Sequence, residues 1–271
     1  MGSEVSGRAV GYGNSQCFLL RCSNRCLRLQ HRVDEADPAA AAPESEEEIQ
    51  TMEALFAREK PLVYLSYHSY GNEVLYPYTC ASLAEGTLVY DIRNDYKAAM
   101  GYGSRTASAS GESFEDAYNE HGSMAFLTEV GTSFQPAFSQ VQGIVENLRA
   151  GWMYLLERGM GPSLVGHVTD AASRAPLPSA TIRVREIVFS EGEARNPEPL
   201  YGFYNRLLLA SDYTVDVGAP GYVPQTFDVT IGAGATVLDV ELQPGECPDG
   251  DGDGHESDMC GGDDCDDAEP A

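Results

Sequence analysis

The sequence predicts an α/β segment followed by a small all-β sandwich. Over residues 45–159, apolar runs of strand length alternate with segments in which apolar residues recur at helical spacing. From residue 164 onward, short alternating strands are separated by turns rich in glycine and proline, a pattern typical of an antiparallel sandwich. The sequence Gly159-Met160-Gly161-Pro162 separates the two patterns, so we expect domains at residues 45–159 and 163–243.

The first segment is predicted to begin with a helix at Ser45. Serine is a favoured helix cap, and the glutamates that follow it suit the positive end of the helix dipole. Two apolar runs, 62–67 and 124–130, predict buried strands. Further helices are expected at 94–100, 114–120 and 137–157. The last of these carries one continuous apolar stripe, which we expect to face the core.

The predicted sandwich has four recognisable strands. Apolar and polar residues alternate in segments 164–170, 180–184, 213–217 and 236–242. Because successive side chains of a strand point to opposite faces, this alternation buries one face of each strand and leaves the other in water. A turn-rich piece, 171–178, connects the first two strands.

The charge balance excludes several classes of partner. The chain has 42 acidic and 17 basic residues, a net charge of −25, whereas nucleic acids and anionic membrane surfaces require clustered Lys and Arg. No apolar run approaches the roughly 20 residues that span a bilayer. The N-terminus has no secretion-signal pattern, and residues 1–44 mix a Cys/Arg-rich stretch with an Ala/Pro linker. We therefore expect residues 1–44 to be disordered.

Two blocks carry the chemistry of the first segment. His68 leaves the end of the apolar run 62–67 and is followed by Ser69, and the aromatic-Pro-aromatic stop Tyr76-Pro77-Tyr78 closes the block. Glu129 lies in the second apolar run, where a buried carboxylate without a role would be unfavourable. In residue pattern, order and separation, the two blocks resemble the second zinc-ligand motif and the catalytic glutamate of the M14 metallocarboxypeptidases.

The resemblance implies a zinc-dependent enzyme that removes C-terminal residues from peptides and proteins. His68 would bind zinc as a neutral imidazole. Glu129 would be the general base, taking a proton from zinc-bound water and passing it to the leaving amine. Ser69 and Tyr70 would border the substrate. The plainer alternatives are an ordinary strand-end histidine, an edge-strand glutamate that faces solvent, and two residues that simply pack.

Several family features have no match. The family takes two further zinc ligands from an upstream His-x-x-Glu turn, which this chain lacks. His31 and Asp34 form a His-x-x-Asp pair, but in a Cys/Arg-rich setting too close to the motif strand. Asn24-Arg25 is the one candidate for the pair that clamps the substrate carboxylate, and its neighbours do not match. We therefore expect a truncated catalytic domain that binds zinc weakly and has little activity.

Substrate preference stays open in the sequence. The substrate-covering tyrosine of many family members would fall near Ala107. Phe114 matches the specificity-pocket position and favours an apolar C-terminal residue, whereas Glu112 and Glu115 favour a basic one.

The later part of the chain carries a second resemblance. The run from Gly166 to Thr181 and the sequence Ala219-Pro220-Gly221-Tyr222 are similar to the transthyretin-like domain that follows the catalytic domain in regulatory-type carboxypeptidases. A rival function is therefore a non-catalytic binding or adhesion module, in which the sandwich and the acidic tail act and the peptidase segment is a relic.

The tail, residues 246–271, has eleven acidic residues and no Lys or Arg. It resembles the Asp-rich, cysteine-containing metal-binding repeats of bacterial secreted proteins, which implies Ca²⁺ binding. The alternative is a disordered acidic tail. One disulfide among Cys247, Cys260 and Cys265 would pin the loop, and the resemblance implies an extracellular or cell-envelope location. The candidate calcium ligands are Asp249, Asp251, Asp253, Asp258, Asp263, Asp264, Asp266 and Asp267.

Overall fold

The structure, a computed structural model, describes residues 47–78, 82–107, 112–190, 192–193, 195–249, 252 and 256–262. The Ser45 cap and the predicted disordered segment 1–44 lie outside these residues, as do six of the eight tail aspartates. Within the described residues the fold combines helices and sheets, as the sequence predicts. We call residues 47–159 the α/β unit and residues 163–243 the β-unit.

The α/β unit is built around one mixed sheet. Its elements are α1 (Glu47–Glu59), β1 (Val63–His68), β2 (Glu73–Tyr76), α2 (Gly86–Met100), β3 (Gly103–Thr106), α3 (Ser113–Asn119), β4 (Met124–Glu129) and α4 (Phe138–Gly159). The strand order is β1-β4-β2-β3. Strand β4 runs parallel to β1 and antiparallel to β2, and β2 is parallel to β3.

The core of this unit forms where β4 meets α2. Strand β4 is buried on both faces from Met124 to Thr128, which explains its nearly continuous apolar sequence. Helix α2 is longer than predicted because Leu88, Val89 and Ile92 extend its buried face towards the N-terminus. It ends at Gly101, whose φ of 71° is the left-handed conformation that favours glycine.

The predicted apolar stripe of α4 is not continuously buried. Gly151 and Leu155 are the fully buried residues of this helix, whereas Phe138 is 91% exposed and Val145 56% exposed. Gly151 lies against α2, since a Cβ at this position would come within 2.6 Å of the Tyr96 ring. The helix therefore packs on the unit through its C-terminal half, and the expectation of one core-facing stripe was wrong for the N-terminal half.

The β-unit has two sheets around one core. Its strands are β5 (Ser163–Asp170), β6 (Thr181–Val184), β7 (Phe203–Leu207), β8 (Ser211–Gly218), β9 (Gln225–Ile231), β10 (Ala235–Val237) and β11 (Val240–Leu242). Strands β6, β8 and β9 form an antiparallel sheet. In the other sheet β5 is antiparallel to β7 but parallel to both β10 and β11, so the prediction of a purely antiparallel sandwich was wrong.

The last predicted strand is interrupted for a reason visible in the packing. Between β10 and β11 the chain leaves the ladder at Leu238 and Asp239, directly beside Gly166. The backbone N–H of Leu238 donates to the Val165 carbonyl at 2.8 Å, and the Asp239 carboxylate accepts from the backbone N–H of His167 at 2.9 Å. A glycine at 166 lets the two backbones approach.

A buried charged cluster joins the two units. Glu85, just before α2, accepts hydrogen bonds from Arg195 and Arg206 of the β-unit, each at 3.1 Å, and from the Tyr118 hydroxyl at 3.1 Å. All three charged side chains are at most 8% exposed. Beside the cluster lies a cavity of about 240 Å³ between the units, bordered by Lys60, Leu62 and the two arginines.

The start of the tail is fixed to the β-unit. Cys247 and Cys260 form a disulfide, and Met259 is buried against Gly218 at the end of β8. Asp258 receives a hydrogen bond from Arg183 at 2.5 Å. None of the helices in the described residues is long and apolar enough to cross a membrane.

Candidate active site

Two neighbouring parallel strands place His68 and Glu129 side by side. His68 is the last residue of β1 and Glu129 the last of β4, and the two are register partners. Directly beyond them, the backbone N–H of Val130 donates to the His68 carbonyl at 2.8 Å. Because β4 lies between β1 and β2, the alternative of an edge-strand glutamate was wrong. The structure thus brings these two residues together at the carboxyl edge of the sheet, where ligand sites of open α/β sheets form.

Strand β2 adds two charged residues that the sequence did not indicate. Glu73 is the register partner of Glu129 on its other side, and Arg105 of β3 donates to Glu73 at 2.8 Å. Gly71 passes over this row, since a Cβ there would lie 3.2 Å from the Glu129 Cβ. Finding Glu73 and Arg105 requires the strand order of a mixed sheet, for which the linear sequence holds no signal beyond charged residues in short strands.

Glu112, at the start of α3, is a further charged residue near His68, Glu129 and Arg105. Burial raises the pKa of Glu112, and the nearby Glu129 charge raises it further, whereas His68 and Arg105 act in the opposite direction. Among the described residues, Oε2 of Glu112 and Oε2 of Glu129 are both buried without a hydrogen-bond partner. Buried polar atoms are nearly always paired with protein or water. Each of these carboxylates therefore has one buried oxygen that no described residue satisfies.

The remaining predicted site residues lie around this edge with different roles. The Ser69 hydroxyl donates to the Phe134 carbonyl at 3.2 Å, which favours packing for this residue. Tyr70 is 57% exposed, so its ring is open to a partner. Phe114 is completely buried in the core of the unit, and Ala107 is 6% exposed. Neither side chain therefore offers a surface at which a substrate side chain can bind.

The described residues around His68 do not fit a catalytic zinc ion. Such an ion needs three protein ligands and one open position. Within the described ranges, three potential ligand atoms from His, Cys, Asp or Glu come within 4.8 Å of one another at Glu53, Asp116 and His121, and that group does not include His68. His31 and Asp34 lie outside the described residues, as do Asn24 and Arg25.

Two tail aspartates lie within the described residues. Asp249 is exposed, and its Oδ1 accepts a hydrogen bond from the backbone N–H of Gly252 at 2.7 Å. Asp258 uses Oδ2 to pair with Arg183, while its Oδ1 is buried without a partner among the described residues. The other six candidate calcium ligands, Asp251, Asp253, Asp263, Asp264, Asp266 and Asp267, lie outside.

Solved structures similar to this chain offer only weak likenesses. A putative carbohydrate binding protein from Bacteroides uniformis is 18% identical over 30% of this chain and 41% of its own, with a TM-score of 0.24. A DUF3823 family protein from Bacteroides uniformis is 16% identical over 33% of this chain and 50% of its own, with a TM-score of 0.23. A cohesin–X-dockerin complex from Acetivibrio cellulolyticus is 14% identical over 30% of this chain and 53% of its own, with a TM-score of 0.23.

The chain thus spans about half the length, or less, of these structures. At such TM-scores the likenesses bear on neither fold nor function. No curated protein matches the chain. One family model does match, that of the zinc carboxypeptidases (Peptidase M14), over residues 30–151. The match begins ahead of Ser45 and takes in His31 and Asp34, and it contains both His68 and Glu129. Residues 30–151 are therefore similar in sequence to a zinc carboxypeptidase.

Proposed function

We propose that residues 45–159 are the later part of a carboxypeptidase-type catalytic domain, whose reaction is hydrolysis of the C-terminal residue of a peptide. The observation that carries this proposal is the pairing of His68 and Glu129 at the ends of parallel strands within the matched region. In this proposal Glu129 accepts the proton of an attacking water, and the unpartnered Oε2 supports that role. Tyr70 lines the substrate approach.

Activity of this chain is expected to be very low. His68 supplies one imidazole, and the described carboxylates nearby do not complete a three-ligand group with it. Zinc at His68 should therefore bind weakly. The Arg105 guanidinium is paired with Glu73. Its attraction for a substrate carboxylate is therefore weaker than that of an unpaired arginine.

The expected result is a weak, site-specific response to zinc, measured on the histidine imidazole signals by NMR. The His68 signal, assigned by its loss in His68→Ala, should shift only at about millimolar zinc, as a single-ligand site would. His167, an exposed histidine beside Asp239, is the matched control. If the His68 signal does not shift when zinc is added, His68 is not a zinc ligand. Saturation at one equivalent of zinc would show that further ligands exist.

A non-catalytic binding module is the second candidate, and it is favoured because no three-ligand group forms with His68 among the described residues. In this reading the β-unit, proposed as transthyretin-like, is the binding part. The disulfide Cys247–Cys260 supports an extracellular or envelope location, because disulfides persist in oxidising compartments. Peptides or proteins would be the partners of either candidate.

We propose that the tail binds Ca²⁺ through aspartates inside and after the Cys247–Cys260 loop. Eight aspartates within residues 249–267 repel one another, and a divalent cation relieves that repulsion. A sequence with this many carboxylate oxygens suits calcium, which takes six to eight oxygen ligands, better than magnesium, which requires a strict octahedron. Calorimetric titration of the whole chain should give heat at millimolar calcium, and Asp251→Asn with Asp253→Asn should reduce it. If the parent chain gives no heat, the tail is a solvated acidic segment.

A further inference from the structure

A second group of ligand-type side chains lies at the opposite end of the sheet from His68. Glu53 comes from α1, Asp116 from α3, and His121 from the loop that leads into β4. Strand β4 rises about 3.3 Å per residue, so its two ends are roughly 17 Å apart. The group is therefore separate from the proposed active site and shares no residue with it.

The geometry of the group suits a metal ion. His121 Nε2 is 3.0 Å from Glu53 Oε2 and 3.7 Å from Asp116 Oδ2, and all three ligand atoms lie within 4.8 Å of one another. Ligands at about 2.1 Å from a tetrahedral ion are about 3.4 Å apart, which falls between the two measured distances. Small side-chain adjustments would therefore bring all three atoms into a first coordination sphere.

The His121 ring is held in place by the surrounding side chains. The His121 side chain is 8% exposed and its ring packs on Phe56, with the ring centroids 5.5 Å apart.

We propose that Glu53, Asp116 and His121 bind one zinc ion, and that this ion fixes α1 to the rest of the α/β unit. Imidazole nitrogens and carboxylate oxygens are both zinc ligands. Helix α1 has little buried surface, because Phe56 is its one fully buried residue, so a metal link would add substantially to its attachment. The ion would connect α1 with α3 and with the loop before β4, leaving a fourth position for water. The role is structural and does not depend on the proposed function.

Hydrogen exchange of the α1 amides in the whole chain tests this proposal, with zinc chloride as the probe. Zinc at ten times the dissociation constant should slow exchange across α1 about tenfold, since binding stabilises the docked helix by mass action. Glu53→Gln and Asp116→Asn keep side-chain size, and each should abolish most of this protection while leaving zinc-free exchange close to that of the parent. Zinc bound by the tail or by the N-terminal cysteines is common to all variants and cancels in the comparison.

His68→Ala is the control that separates this site from the proposed active site, and its α1 protection by zinc should equal that of the parent. Three results would overturn the proposal. These are α1 exchange that zinc does not change, equal protection in Glu53→Gln and Asp116→Asn, and protection that disappears in His68→Ala. In the first case the group is a hydrogen-bonded ion cluster without a metal.

Discussion

Replacing Glu85 with alanine is expected to lower the free energy of unfolding by about 3–5 kcal/mol, because the change leaves two buried guanidiniums without their counter-charge. Glu85 is 5% exposed on its side chain, and Arg195 and Arg206 are 8% and 6% exposed. The cluster also lies between the α/β unit and the β-unit, so its loss weakens the contact between them. Chemical denaturation measures the effect.

The matched control is Glu59→Ala. Glu59 pairs with Arg58 on the surface, where the side chains are 56% and 66% exposed, and such pairs contribute about 0–1 kcal/mol. A loss in Glu85→Ala no larger than in Glu59→Ala would contradict the assignment of Glu85 as the counter-charge of the interface.

The same cluster predicts a pH dependence. Burial acts to raise the pKa of Glu85, but Arg195 and Arg206 together outweigh it and hold the pKa below the ordinary value of 4.5. A carboxyl group whose pKa is lowered on folding stabilises the fold fully above its unfolded pKa. That contribution is lost as the pH falls from about 4.5 through the lowered folded pKa, and Glu85→Ala should lack this component.

Gly166→Ala is expected to destabilise the β-unit by about 3 kcal/mol, the upper end of the usual cost of overpacking. An added methyl group would overlap the carbonyl oxygen of Leu238, which is backbone and cannot rotate away. Relief requires moving the segment between β10 and β11, with loss of the hydrogen bonds from Leu238 to Val165 and from His167 to Asp239.

Gly234→Ala, in the turn before β10, is the control, because a Cβ there meets no atom within 4 Å. Its effect should stay within about 0.5 kcal/mol. Equal unfolding midpoints for the two variants would show that the β5 backbone can give way at Gly166.

The sequence was most informative where a local pattern and a topological rule agree. The apolar runs 62–67 and 124–130 were predicted as buried strands, and in the structure they are the neighbouring parallel strands β1 and β4, whose carboxyl ends place His68 beside Glu129. The change in apolar spacing near Gly159 likewise predicted a segment of helices and strands followed by a segment of strands.

Features that depend on strand order or on neighbouring surfaces could not be read in advance. Glu73 reaches the site because β2 inserts beside β4, a pairing that no local pattern encodes. The stripe of α4 has helical spacing throughout, yet spacing cannot tell whether a partner surface extends as far as Phe138. Likewise β10 and β11 alternate as expected, but their parallel pairing to β5 is set by the chain path.

We propose a carboxypeptidase-type site at His68 and Glu129 whose zinc ligands are incomplete among the described residues. Zinc-dependent turnover of C-terminal dipeptide reporters by the whole chain, beside His68→Ala and Glu129→Gln, tests this. We expect turnover indistinguishable from a zinc blank in all three proteins. Robust turnover by the parent chain that is lost in both variants would contradict it, and would mean that residues outside the described part complete the metal site.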